Sequence, residues 1–338
     1  MSGQSTGRAP RIAVIGCGRH AGRVHYPSVR DLGDRAVLVA IADLDEGRLT
    51  EIGAKYGVAL ESRYTDYRKM LEREDLDAVY VIMEPRPGTP IVLDVLAAKK
   101  HVFMEKPPGM NLEQCGDLAN SATKNGVFLQ IGWNRRFAPV VRKAAEAIRA
   151  IGTQTLVVGE FHKDLPRPDP YYGTGSWLLS DQSHTLDTIM YLGGGIATSM
   201  EANTRNIHGF VDCSTALFSF PSGAAGVFLS NYACGARIER FEIHCKDASA
   251  YMEPPERAYL YEKRAVTGFY DPNAKRERVD FDGVELVGGS EFHRTYGYFQ
   301  ETEHFVECVR TGTVPETDIT YAHELVRIID KIERAGIL

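Results

Sequence analysis

Apolar and polar positions follow two different rhythms along the chain. From Arg11 to about Ile131, the apolar runs RIAVIG, AVLVAIAD, DAVYVIM, HVFM and VFLQI are separated by amphipathic stretches of helical length. Strands without a polar face are buried on both sides, and their alternation with helices predicts a doubly wound parallel sheet. After about Thr153 the texture changes. TALFSFPSGAAGVFLSNY reads as two strands around a Pro-Ser-Gly turn, and RFEIHC sets Phe241, Ile243 and Cys245 against Arg240, Glu242 and His244. This is the pattern of antiparallel strands with one buried face. The closing TYAHELVRIIDKIERAGI puts Ala322, Leu325, Val326, Ile329 and Ile332 on one helical stripe that Gly336 ends. The expected layout is a flexible polar tail over 1–10, an α/β domain over 11–135 and an α+β domain over 136–338, whose last helix can pack back on the first domain.

Size and charge narrow the picture. A chain of 338 residues exceeds the usual single core, which favours two domains. A net charge of -6 offers no large positive field for a phosphate backbone, so a small molecule is the expected partner rather than nucleic acid. Residues 1–10, MSGQSTGRAP, lack the apolar stretch of a secretory signal, and no run approaches the length of a bilayer span. The expectation is a cytoplasmic protein without membrane attachment. The six cysteines include no CxxC pair, which fits reduced thiols, with no disulfide framework and no metal site.

Candidate chemistry begins where the first apolar run enters GCGRHAGRVHYP. Gly16, Gly18 and Ala21 form GxGxxA at a strand-to-helix turn, with Arg19 and His20 between them. Gly16 permits the tight turn, Gly18 lets a pyrophosphate approach the backbone, and Ala21 allows close helix packing. The second run ends at Asp43, whose carboxylate can accept hydrogen bonds from adenosine ribose hydroxyls and would repel a ribose 2′-phosphate. The expected cofactor is NAD, preferred over NADP. Glu105, Lys106 and Pro107 follow the HVFM strand, at the sheet edge where ligands of such folds bind. A partly desolvated lysine there can exchange a proton with an alcohol or ketone during hydride transfer. His184 and Asp187 lie one turn apart near a helix start, with Ser180 or Asp181 as the expected N-cap, and His184 is a candidate proton shuttle.

Together GCGRHAGRVHYP, Asp43, EKP at 105–107, GWNRRF at 132–137 and SHTLD at 183–187 resemble the glucose-fructose oxidoreductase, inositol dehydrogenase and MocA (Gfo/Idh/MocA) family. The likeness runs from about Arg11 to the C-terminus, including FQETEHFVECVRTG and the closing helix. It implies a Rossmann domain followed by an open, mostly antiparallel sheet domain often used for homo-oligomer contacts, with the active site between them. A homodimer or homotetramer is the matching expectation. The resemblance also implies that Lys106 sits beside the nicotinamide and a substrate hydroxyl, before a cis Pro107. Pro85 keeps its place in the cofactor loop, although Glu84, Arg86 and Thr89 depart from the family's usual residues there. Ser180 stands where the family's dehydrogenases often carry an aspartate, and Asp181, one position on, points about 100° away on a helix.

Trp133, Asn134 and Arg135 follow the last Rossmann strand and are candidates to line the cleft, Trp133 alternatively as a buried junction residue. Arg167, Tyr171 and Tyr172 in KDLPRPDPYYGTGS are candidates for sugar contacts, or part of an exposed proline-rich loop. The reading that follows is an NAD(P)-dependent dehydrogenase or ketoreductase for a sugar, cyclitol or related polyol, with Lys106 and His184 managing the proton and Asp181 assisting. Two other readings are a redox-neutral enzyme that retains NAD for elimination or glycosidic cleavage through transient oxidation, and a non-catalytic dinucleotide-binding sensor.

Overall fold

The computed structural model describes residues 8–164, 173–174, 176–208, 211–262 and 278–335. The chain forms two compact units. The first contains residues Met1–Trp133, Phe292–Arg294 and Tyr298–Arg327, and the second Asn134–Glu291, Thr295–Gly297 and Ile328–Leu338.

In the first unit, six strands lie in the order β3-β2-β1-β4-β5-β6 and pair in parallel. They are β1 (Arg11–Ile15), β2 (Val37–Ala42), β3 (Arg63–Tyr64), β4 (Ala78–Val81), β5 (His101–Glu105) and β6 (Leu129–Gly132). The five apolar runs are β1, β2, β4, β5 and β6; all four residues of β4 are buried, as a strand covered on both faces requires. The two-residue β3 carries no apolar run and was not predicted. Helices between the strands are bounded by local chemistry. Asp45 caps Glu46–Tyr56 by accepting from Arg48 N, and Gly57 ends it at φ 71°. Asn111 and Gly126 perform the same roles for Leu112–Asn125. The helix Tyr298–Thr311, distant in sequence, packs against the first helical segment, with Phe305 and Val306 in the core.

The second unit holds an eight-stranded sheet, in the order β14-β13-β12-β11-β7-β10-β9-β8. These strands are β7 (Gln154–His162), β8 (Ser199–Asn206), β9 (Val211–Ser219), β10 (Ala225–Asn231), β11 (Ile238–Cys245), β12 (Ala248–Glu253), β13 (Arg257–Glu262) and β14 (Arg278–Asp282). All neighbours are antiparallel except β7 and β10. β9 and β10 are the two strands read around Pro-Ser-Gly, and Phe241, Ile243 and Cys245 of β11 are buried as the alternation predicts. The helix Pro139–Ile151 packs Val140, Val141, Ala144, Ala145 and Ile148 toward β11 to β13. Ser183–Gly193 packs on β7 and β10. It approaches closely because β7 has Gly159 beneath it: a Cβ there would sit 2.5 Å from Ile189 Cγ1.

At the C-terminus, Ala322, Leu325, Val326, Ile329 and Ile332 of the helix Ile319–Arg334 are all buried, while Gly336 lies outside the described residues. Glu333 accepts a hydrogen bond from Ser176 Oγ. Burial pushes its carboxyl up to about 7, Asp330 adds to the rise, and the Ser176 bond only partly offsets it. A carboxyl raised above its unfolded value near 4.5 stabilises the fold fully below that pH, and this contribution is lost as pH rises through about 7. Glu333→Gln is therefore expected to show a smaller fall in melting temperature than the parent between about pH 5 and about pH 8. Equal falls in the two proteins would refute this account of Glu333.

Candidate active site

In the first unit the glycine turn is built by strand-end contacts. Gly16 adopts φ 108° and its N–H donates to Ala42 O of β2 at 2.8 Å. A Cβ at Gly16 would lie 2.3 Å from Ile82 O just beyond β4, so no side chain fits between the strands. At Gly18, by contrast, a Cβ would meet nothing within 4 Å, which leaves the backbone open to close approach by a ligand. Ala21 is fully buried and opens a π-helical turn, Ala21–His25, that runs into the helix Tyr26–Asp31. Arg19 and His20 are exposed at this mouth.

Asp43 is tied to the same turn. Its Oδ2 accepts from Cys17 N at 2.7 Å and its Oδ1 from Asp45 N at 2.9 Å. Each oxygen has a second lone pair, so the carboxylate keeps acceptor capacity for a hydroxyl. The Arg48 guanidinium lies 4.0 Å from Oδ1. Pro85 is the first residue of the helix Pro85–Ala97, and Thr89 Oγ1 donates back to Pro85 O at 2.8 Å. The departure at Thr89 thus caps the helix's own carbonyl rather than facing outward.

At the end of β5, Glu105 forms the centre of a buried cluster. Its Oε1 accepts from His25 Nε2 at 2.9 Å and His20 Nε2 at 3.1 Å, and its Oε2 from Lys106 N at 3.2 Å. Burial by itself would raise this carboxyl, but the two imidazoles outweigh it and hold Glu105 well below the usual carboxylate range. Burial lowers the His25 pKa and keeps that ring neutral near pH 7. The Tyr298 ring meets both imidazoles edge-on, 5.7 Å from His20 and 5.9 Å from His25. Lys106 is partly exposed and precedes a cis peptide to Pro107. His25 and Tyr298 were not named from sequence; the only local hint was a second histidine five residues after His20.

The three ligand-type atoms of His20, His25 and Glu105 lie within 4.8 Å of one another, a composition that a metal ion could use. The tautomer argues otherwise. Among the described residues, His25 Nδ1 is buried without a hydrogen-bond partner. Moving the proton there from Nε2 would create an unpaired buried N–H, so Nε2 keeps it and donates to Glu105. Metal-bound imidazoles ordinarily donate their second nitrogen to a partner, which His25 lacks.

In the second unit, the expected N-cap at Ser180 or Asp181 is not found. The helical segment begins earlier, as a π-turn Leu178–Gln182 leading into Ser183–Gly193. Ser176 starts it, its Oγ accepting from Leu179 N at 2.8 Å. Ser180 is fully buried and its hydroxyl donates to Ser176 O at 2.7 Å. Asp181 Oδ2 accepts from Lys163 Nζ at 3.2 Å and Tyr232 OH at 3.3 Å, two partners that the sequence did not single out. His184 is partly exposed. Asp187, one turn on, is fully buried in a two-pronged pair with Arg136: Nε to Oδ2 at 2.8 Å and Nη2 to Oδ1 at 2.5 Å.

The GWNRRF segment is largely buried. Trp133 is fully buried, its ring edge-on to Tyr321 at 6.2 Å. Asn134 Nδ2 donates to Tyr296 O at 2.7 Å. Arg135 is buried, donating to Glu239 Oε1 at 2.8 Å with its guanidinium over the Tyr296 ring. Arg167, Tyr171 and Tyr172 lie outside the described residues. No described helix is long and apolar enough to cross a membrane.

Residues 10–133 match the oxidoreductase family with an NAD-binding Rossmann fold, and residues 141–251 match the GFO/IDH/MocA C-terminal domain. The chain is 32% identical to myo-inositol 2-dehydrogenase of Thermotoga maritima, over 68% of this chain and 72% of that protein. It is 27% identical to scyllo-inositol 2-dehydrogenase (NAD(+)) of Bacillus subtilis, over 91% of this chain and 89% of that one. Among solved structures, a dehydrogenase from Chromobacterium violaceum superposes with a TM-score of 0.85 at 22% identity, covering 97% of this chain and 96% of that chain. The glycine turn, the acidic end of β2 and the Glu-Lys-cis-Pro edge of β5 thus stand in a chain that belongs to the Gfo/Idh/MocA family of NAD-binding oxidoreductases.

Proposed function

We propose that this protein is an NAD-dependent dehydrogenase for a cyclitol, sugar or related polyol. The observation that carries the reading is the edge of β5. There Lys106 follows a buried, ionised Glu105 in the same unit as the open glycine turn. The inositol dehydrogenases among its relatives supply the substrate class. A bound nicotinamide would supply the hydride acceptor or donor for one carbon of the substrate.

The chain's own residues manage the rest. Gly16, Gly18, Arg19, His20 and Ala21 form the turn that receives the dinucleotide phosphates, with Pro85 opening the neighbouring helix. Asp43 accepts from the adenosine ribose and disfavours a 2′-phosphate, which gives the preference for NAD over NADP. Lys106 Nζ takes the hydroxyl proton in oxidation and gives it back in reduction. His184 exchanges a proton with a substrate hydroxyl, and Asp181, held by Lys163 and Tyr232, contributes negative charge beside that helix rather than a free proton acceptor. Arg135 is proposed to shape its surroundings, since Glu239 already holds its charge. Self-association as a homodimer or homotetramer is assigned to the second sheet's outer face, where Leu217 is 57% exposed.

The test is to mix the purified protein with NAD or NADP and a panel of inositols and sugars, and with the reduced cofactors and keto sugars, while following nicotinamide absorbance. Reduction of NAD by a cyclitol or sugar, with NADH bound more tightly than NADPH, is expected. Tight NAD binding with no net redox change across the panel would overturn the dehydrogenase reading. Tighter NADPH than NADH binding would overturn the role given to Asp43.

A further inference from the structure

The position between the glycines and the first helix is occupied here by a titratable side chain. His20 is exposed at the mouth of the turn, yet its Nε2 lies 3.1 Å from Glu105 Oε1. The groups facing it are Glu105 from β5, the neutral His25 from its own helical segment and the Tyr298 ring from Tyr298–Thr311. Arg19 and Arg23 flank it in sequence and are exposed. We propose that His20 makes dinucleotide binding proton-linked, so that its protonated imidazole, anchored by Glu105, attracts the cofactor's phosphates. The inference rests on the dinucleotide site proposed above.

The charge balance gives the direction. Glu105 stays ionised because its two imidazole partners hold it well below the usual carboxylate range, and burial keeps His25 neutral. His20 is the one exposed member of this trio, and its Nδ1 is the atom where a proton can be added. With His20 neutral, the sum is one negative charge beside an anion-binding turn; with His20 protonated, it is zero. The hydrogen bond tolerates both states, since Nε2 donates to Glu105 in either, while Nδ1 alone gains or loses a proton. Binding a diphosphate next to this trio favours the protonated state, so the complex should take up protons on binding.

The test is calorimetric titration of NAD into the full chain between pH 6 and pH 8, in two buffers of different ionisation enthalpy, for the parent and for His20→Asn. The parent is expected to take up a fraction of a proton on binding. Its affinity should fall about three- to tenfold across this range, the effect of losing one nearby charge under partial solvent screening. His20→Asn should bind NAD without that proton uptake and with little dependence on pH. Absence of proton uptake in the parent, or undiminished uptake in His20→Asn, would overturn the proposal while leaving the cofactor reading intact. Failure of the parent to bind NAD at any pH would overturn both. ADP-ribose is the control ligand: because it carries the diphosphate without the nicotinamide, it should show the same proton uptake, and its absence there would also overturn the assignment to the phosphates.

Discussion

Lys106→Met is expected to lower kcat by about 10²- to 10⁴-fold, the usual contribution of a positioned acid-base group, with NAD affinity close to that of the parent. Methionine keeps an unbranched side chain of similar reach but cannot hold a proton. The backbone N–H of residue 106 still donates to Glu105 Oε2, and His20 and His25 still donate to Glu105 Oε1. The dinucleotide turn should therefore survive. A loss confined to kcat would place the lysine in the chemical step, whereas a loss confined to KM would make it a binding group only. Full activity in the variant would remove Lys106 from the mechanism.

Arg136→Ala should destabilise the protein by about 3–5 kcal/mol, the range seen when one partner of a buried ion pair is deleted. The Arg136 side chain is 4% exposed and that of Asp187 0%, so deleting the guanidinium leaves a carboxylate sealed from water. The pair carries two aligned hydrogen bonds, and the guanidinium also sits 5.5 Å from the centre of the Tyr191 ring. Both partners matter because Asp187 and Tyr191 belong to the helix Ser183–Gly193, which carries His184. Urea unfolding at neutral pH would measure the loss. A double replacement, Arg136→Met with Asp187→Leu, should recover much of it, since the main penalty is a buried carboxylate that has lost its guanidinium rather than the missing attraction. A single variant with parental stability would show that Asp187 is protonated or reached by water.

How much of this was legible in the sequence depends on the range of each contact. Gly16, Gly18, Ala21, Asp43 and the Glu-Lys-Pro segment were readable because strand, turn and helix start occur within a few residues, and each places its functional group by backbone geometry alone. The two units' sheet types were readable for a related reason. Burial on both faces makes continuous apolar runs, and burial on one face makes alternation. The cap of the His184 helix was misplaced because Ser180, Asp181 and Ser176 are all good cap residues, and only the path of the chain decides that the turn begins at Ser176.

The sequence by itself determined the parallel sheet, the glycine turn at its edge and the sheet-end lysine, since these follow from side-chain period and local conformation. Only the tertiary structure decided that His20 and His25 share Glu105 across 85 and 80 residues, and that Asp181 is held by Lys163 and Tyr232. It alone also decided that Arg136 is matched to Asp187. The physical reason is common to these three pairings. A buried charge or imidazole must find a partner once water is excluded, and which partner lies within 3 Å or so is settled by how distant segments pack, which no local periodicity records.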